Sequence, residues 1–228
     1  MAGGGGSSSG VAESYLIAYN ATSFGGWAYV LVQTVLYLGE HGADLGGLFG
    51  RIGWPLICVQ TCALLEVVHA LAGLVRSSAL TVLMQVYSRQ LVVWGTLFLF
   101  DCPEVRASYA LVAMVLAWSI TECVRYSHYT LSLLDVSAPP LLYLRYTLFY
   151  VLYPTGVTGE LLEMWAALPH ATAISPLLRT FFLLNMAGYP PVLYKLYTHM
   201  IAQRRKILGG GSKAPASSPA SARAKKRL

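Results

Sequence analysis

The sequence predicts an all-α membrane protein, a polytopic bundle of six transmembrane helices with a polar cleft. Three observations carry that prediction. The chain is 56% hydrophobic with a mean hydropathy of +0.55. Only 11% of its 228 residues are charged, against about 25% in a soluble globular domain. Its apolar residues fall in long continuous runs, which argues against a β-barrel of ten-residue alternating segments. A hydrocarbon core needs about 20 helical residues. The runs 15–38, 52–75, 80–100, 105–126, 141–168 and 177–200 qualify, some with polar interruptions.

The elements follow in order. Residues 1–12 open with "MAGGGGSSSG", a flexible N-terminus without the basic stretch a cleavable signal needs. The first run therefore reads as a retained anchor. The breaks between runs carry "GEHGADLGG", "RSS", "DCPE", "SHYTLSLLDVSAPP" and "PHATAISP", turn-like in glycine, proline, serine and aspartate. They delimit a membrane domain over 13–205, followed by a disordered basic tail over 206–228. An even number of spans puts both termini on one side. From Arg204 onward the chain is basic and has no acidic residue, so the positive-inside rule makes that side cytosolic. The last four residues, "KKRL", resemble the dilysine signal that retrieves membrane proteins to the endoplasmic reticulum. The net charge of +6 comes largely from this tail, so it is not read as nucleic-acid binding.

Several functional classes lose support. The four cysteines form no CxxC pair, so neither a disulfide framework nor a zinc site is indicated; they read as small buried hydrophobes. Six residues beyond each cysteine stand Leu64, Val68, Ser108 and Tyr129, so the Cys-x5-Arg phosphate loop of a tyrosine phosphatase is missing. The five histidines are scattered, unlike those of a di-iron desaturase, and Glu66-x-x-His69 has no second copy. There is no nucleophile elbow and no dinucleotide glycine motif. A transporter would suit a polar cleft, but no inverted repeat is present.

The polar residues inside the runs align. Glu66, His69, Gly73 and Arg76 are spaced for one helix face. Gln85 and Arg89 stand at i and i+4, and Ser119, Glu122, Arg125 and Tyr126 form another stripe. Arg145, Tyr146, Phe149, Tyr153, Gly156 and Glu160 form a third. An ionisable residue at mid-bilayer costs at least ~2.5–3.5 kcal/mol on insertion scales, so such residues face a bundle interior and pair there. One polar cleft lined by spans two to five is the economical arrangement. Glu66 with Arg89, or Glu122 with Arg125, equally suit buried pairs that only fix packing.

The most unusual stretch is "LYPTGVTGE", residues 152–160. Tyr153 and Glu160 lie seven residues apart, close to two helical turns or about 10.5 Å along the axis. Gly156 lies between them, and Pro154 removes a helix hydrogen bond and predicts a kink. Two proton-transfer groups would then flank an open notch. Dehydration of a β-hydroxyacyl thioester needs such a pair: a base for the C2 proton, an acid for the departing C3 hydroxyl, and no cofactor. A kinked helix holding a hydrogen-bonded glutamate is the plainer reading of the same residues.

At these residues the chain resembles the very-long-chain 3-hydroxyacyl-CoA dehydratases, also called protein tyrosine phosphatase-like A, which include the plant Pasticcino-type protein. The resemblance rests on "LEVVHALAGLVRS", "QVYSR", "WSITECVRYSHY" and "LRYTLFYVLYPTGVTGE", in order, and covers roughly residues 15–205. It implies a six-span protein of the endoplasmic reticulum membrane with both termini cytosolic. It implies cofactor-free conversion of (3R)-3-hydroxyacyl-CoA to trans-2-enoyl-CoA, the third step of fatty-acid elongation. The family's catalytic tyrosine and glutamate match Tyr153 and Glu160. Its other important polar residues match Glu66, Gln85, Arg89, Arg125, Arg145 and Gly156. The implied partners, besides acyl-CoA and membrane lipid, are the condensing enzyme, ketoreductase and enoyl reductase of the elongase. His128 departs from the aromatic expected in "RYSHY". We expect Glu160 as the C2 base and Tyr153 as the acid, with the reverse assignment open. Arg76, Arg125 or Arg145 is expected to meet the CoA phosphates. A catalytically inactive scaffold for elongase or signalling partners is the alternative.

Overall fold

The computed structural model describes residues 7–208, and within them the chain is helical without strands. Helix α1 (Ser7–His41) is about 50 Å long at 1.5 Å per residue. It begins earlier than the sequence boundary at residue 12 suggests. Helices α2 (Leu48–Cys62) and α3 (Leu64–Leu71) follow one another across Ala63. Helix α4 (Ala79–Gln90) continues into a π-helical stretch, Leu91–Phe98. The short α5 (Pro103–Arg106) leads to α6 (Tyr109–Leu133). Then come α7 (Pro139–Arg145), α8 (Phe149–Ile174) and α9 (Pro176–Leu208). The basic tail expected beyond residue 208, including "KKRL", lies outside the described residues.

Helix α6 is the axis of the molecule. It packs against α1 on one side and α8 on another, and α8 in turn holds α9. Cross-helix contacts fix the directions. Tyr19 of α1 meets Tyr126 at the far end of α6. Ser108 and Trp118 meet Glu163 and Glu160 in that order, so α6 and α8 are antiparallel. Tyr189 and Tyr197 of α9 meet Glu160 and Tyr150, so α9 runs back along α8. Hence the start of α1, the end of α6, the start of α8 and the end of α9 share one end of the bundle. The core between these helices is apolar, with Leu48, Ile52, Leu56, Leu111, Met114 and Met164 fully buried.

The outer faces are also apolar. Trp54, Leu71, Leu80, Val151, Leu177 and Leu184 are all exposed, a pattern that marks a membrane-facing surface. Two stretches, Leu48–Leu71 and Pro103–Leu133, are long and apolar enough to cross a membrane. The cysteines are free, and Cys58 and Cys62 lie on the outer surface rather than buried as expected.

Three local differences from the sequence reading have physical causes. The second run stops at Leu71, because Gly73 adopts φ +70° and the Leu74 amide bonds back to the His69 carbonyl at 2.9 Å. This is a Schellman-type stop, and it takes Gly73 and Arg76 off the expected stripe. The fifth run divides at Tyr146–Leu148, where the Thr147 amide bonds the Leu144 carbonyl in a tight turn. Helix α8, by contrast, continues through Pro154 instead of breaking. The Tyr150 carbonyl left without the Pro154 N–H accepts the Tyr197 hydroxyl at 3.5 Å.

Candidate active site

Four ionisable side chains, Glu122 buried and Glu66, Arg89 and Arg125 partly buried, form a chain of alternating charge across α3, α6 and α4. Arg125 grips Glu66 with both terminal nitrogens, at 2.8 and 2.7 Å. Its Nε donates to Glu122 at 2.6 Å. The other oxygen of Glu122 accepts from Arg89. Tyr126 caps the far end by donating to Glu66. Spacing explains the assembly. Glu122, Arg125 and Tyr126 sit at i, i+3 and i+4 on α6, so one face presents all three. The pairing differs from the sequence reading in one respect: Glu66 bonds Arg125, and Arg89 bonds Glu122.

Beyond Arg89 the chain reaches the fifth-run motif. The Arg89 guanidinium lies 5.5 Å from the centre of the Trp118 ring. The Trp118 indole N–H donates to Glu160 at 3.0 Å, and the Tyr189 hydroxyl donates to the other carboxylate oxygen at 2.8 Å. Glu160 is thus buried and held by two neutral donors from two neighbouring helices. Tyr153, partly buried, stacks near the ring of Tyr197 at 6.4 Å between centroids. Among the described hydrogen bonds none joins Tyr153 to Glu160. The two share one helix and flank Gly156.

The notch at Gly156 is narrower than the sequence suggested. A methyl group there would stand 3.6 Å from Trp118 Cδ1 and 3.7 Å from Ala117 Cβ, ordinary contact distances. The tight glycine is Gly159, where a methyl group would come within 2.7 Å of Met114 Cβ and 2.9 Å of the Ala110 carbonyl oxygen. Gly159 therefore sets how closely α6 and α8 approach. An outward groove of about 410 Å³ between these helices is lined by Tyr109, Ala113, Pro154, Thr158, Gly159 and Leu162, and includes neither Tyr153 nor Glu160.

The remaining predicted residues divide. Arg145 donates to His128 Nδ1 at 3.1 Å and to the Tyr129 hydroxyl at 3.0 Å, at the end of the bundle where α8 begins. Gln85 is exposed on α4, without a described side-chain bond to the cluster. Arg76 is exposed in the connection after α3. His69 accepts or donates to the Tyr15 hydroxyl at 2.9 Å and packs edge-on against Tyr19. Three residues the sequence reading missed complete the picture. Trp118 stands one turn before Glu122, a spacing that pointed to the same face. Glu163, one turn after Glu160, is buried and accepts from Ser108, the N-cap of α6. Tyr189 comes from a distant helix, so no local pattern marked it.

Metal-type donors also meet at the opposite end, where Cys102, Glu104 and His170 lie within 4.8 Å of one another. Glu104 is largely exposed and pairs with His170 at 3.6 Å. This group stands ten residues along α8 from Glu160, about 15 Å away.

The chain is similar to known proteins over most of its length. Residues 60–210 match the family described as protein tyrosine phosphatase-like protein, PTPLA. The very-long-chain (3R)-3-hydroxyacyl-CoA dehydratase hpo-8 of Caenorhabditis elegans is 44% identical over 88% of this chain and 97% of its own length. Dehydratase 2 of Mus musculus is 41% identical over 87% of this chain and 82% of its own. The PASTICCINO 2A dehydratase of Oryza sativa subsp. japonica is 39% identical over 88% of this chain and 95% of its own. No solved structure matches the chain. This chain belongs to the very-long-chain (3R)-3-hydroxyacyl-CoA dehydratase family, the protein tyrosine phosphatase-like family.

Proposed function

We propose that this protein dehydrates (3R)-3-hydroxyacyl-CoA to trans-2-enoyl-CoA in very-long-chain fatty-acid elongation, with Glu160 and Tyr153 as its acid–base pair. The observation that carries the pairing is the environment of Glu160, a buried carboxylate whose partners are all neutral. No arginine neutralises it directly, so it remains available for proton transfer. Glu160 removes the C2 proton, whose acidity the thioester supplies. Tyr153 protonates the C3 hydroxyl as it leaves as water. The proton account closes without cofactor, since one proton is taken at C2 and one delivered at C3. Arg89 and the Glu122–Arg125–Glu66 chain hold Trp118 and the helices that present the pair. Gly156, between the two groups, keeps the helix face beside Trp118 and Ala117 free of a side chain.

The helices that run back and forth along α6 are six membrane crossings in this reading, forming one catalytic domain over 13–205. The exposed apolar faces support it. The basic C-terminal sequence supports cytosolic termini and residence in the endoplasmic reticulum membrane, beside the condensing enzyme, ketoreductase and enoyl reductase.

The test is turnover of a long-chain (3R)-3-hydroxyacyl-CoA by the full chain in nanodiscs. Wild type forms the trans-2-enoyl-CoA, while Glu160→Gln also stops exchange of the C2 proton with solvent. Normal C2 exchange in Glu160→Gln would reverse the assigned roles. A folded wild type inactive across chain lengths favours the scaffold alternative.

A further inference from the structure

The arginines near the polar cleft and the bundle end where α8 begins differ in their partners. Arg89 and Arg125 are bound to carboxylates. Arg76 projects from a loop. Arg145 bonds only the neutral groups of His128 and Tyr129. Arg204, on the last turns of α9, has no carboxylate partner among the described residues, and its Nη1 is buried without a hydrogen bond. Its guanidinium sits 5.9 Å from the centre of the Tyr143 ring and 5.5 Å from that of Tyr150. Both rings keep substantial exposure, 52% and 40%. Tyr150 is fixed from behind by Phe149, stacked at 4.3 Å, and by the edge of Tyr197 at 6.2 Å.

We propose that Arg204 and Arg145, with the Tyr143 and Tyr150 rings, form the subsite for the phosphorylated nucleotide end of the CoA thioester. The proposal rests on the acyl-CoA reading above and names the part of the substrate that this end of the bundle holds. Three features fit it. An unpartnered buried guanidinium nitrogen costs free energy until an acceptor arrives, and phosphate oxygens suit the arginine fork. Fixed, half-exposed tyrosine rings give a purine a stacking surface. Tyr150 and Glu160 are ten residues apart on α8, about 15 Å along the helix. An extended pantetheine arm spans such a distance from thioester to pyrophosphate. The arrangement also reassigns the phosphate role expected for Arg125. Two carboxylates already neutralise that side chain, so it holds the helices together instead.

The test compares two thioesters of the same 3-hydroxyacyl chain, one on CoA and one on pantetheine, which lacks the nucleotide. The proteins are wild type, Arg204→Gln and Arg204→Lys, as full chains in nanodiscs. We expect Arg204→Gln to raise KM for the CoA thioester about tenfold and that for the pantetheine thioester less than twofold, with kcat for the CoA thioester altered far less than its KM. Arg204→Lys retains part of the preference. Equal effects on both thioesters, or none on either, overturn the proposal in favour of a structural role for Arg204. An effect that appears only when anionic lipid is present also overturns it and assigns the arginine to a headgroup phosphate. Binding of adenosine 3′,5′-bisphosphate to the same proteins gives a readout independent of turnover. Wild type inactive on both thioesters refutes the dehydratase reading, whereas absence of bisphosphate binding refutes the subsite.

Discussion

Glu122 and Glu160 sit on neighbouring helices and are almost equally buried, 2% and 5% exposed, yet they are held in opposite ways. Glu122 accepts from two arginines and has no capacity left for chemistry. Glu160 accepts one indole N–H and one phenol O–H, both neutral. Burial alone therefore does not identify a working carboxylate; the charge of its partners does. A carboxylate between two guanidinium groups is part of the architecture. One held in place by neutral donors keeps its freedom to exchange a proton.

The comparison can be broken from either side. The largest effect belongs to Tyr153→Phe, which removes the proposed acid but no described hydrogen bond. Turnover should fall by about 10²–10⁴ while thermal stability in nanodiscs stays close to wild type. A variant that keeps turnover removes Tyr153 from the reaction. Next comes Arg125→Gln, which leaves the partly buried Glu66 without its arginine and Glu122 with Arg89 alone. It should destabilise the fold by about 3–5 kcal/mol, read as a large drop in Tm and in yield. Tyr189→Phe sharpens the other side. It deletes one bond to Glu160, worth about 1.5–3 kcal/mol if the acceptor is ionised, so kcat should fall roughly tenfold or more with little change in KM.

The two glycines of α8 give a smaller, steric contrast. Gly159→Ala forces Met114 and the backbone of α6 outward and should cost about 1–3 kcal/mol of stability. Gly156→Ala meets only ordinary contacts, so its stability should match wild type, and any loss appears in turnover through the space beside Trp118. The smallest effect is at the opposite end of the bundle. There the Arg51 guanidinium bonds Glu40 at 2.5 Å and holds its carboxyl below the usual carboxylate range. The folded pKa is depressed, so this pair's contribution is present above the unfolded pKa and is lost as pH falls through the folded one. Because Glu40 is exposed, Glu40→Gln should shift Tm only slightly, and only above that window.

The motif in α8 was legible because proline, glycine, tyrosine and glutamate rarely share an apolar run. The i, i+3 and i+4 spacing of Glu122, Arg125 and Tyr126 showed which face of α6 mattered. What remained hidden depends on helix-to-helix register. Sequence spacing allowed Glu66 to pair with Arg89, but the packing of α3 beside the C-terminal half of α6 gives it Arg125. Tyr189 reaches Glu160 from 29 residues away, and no periodicity links them. Arg204 resembled one more charge in a basic terminus until Tyr143 and Tyr150 were seen beneath it. Helix ends were hidden for a local reason: the positive φ of Gly73 stops α3 inside a run whose hydropathy continues.

The most direct test measures stability and turnover together for Glu160→Gln and Glu122→Gln in nanodiscs. The account predicts that Glu160→Gln keeps a Tm near wild type and loses at least about a hundredfold in turnover. Glu122→Gln should lose stability first, with Tm and yield falling sharply. A well-folded Glu160→Gln that still dehydrates its substrate, or a Glu122→Gln with wild-type stability, would contradict it.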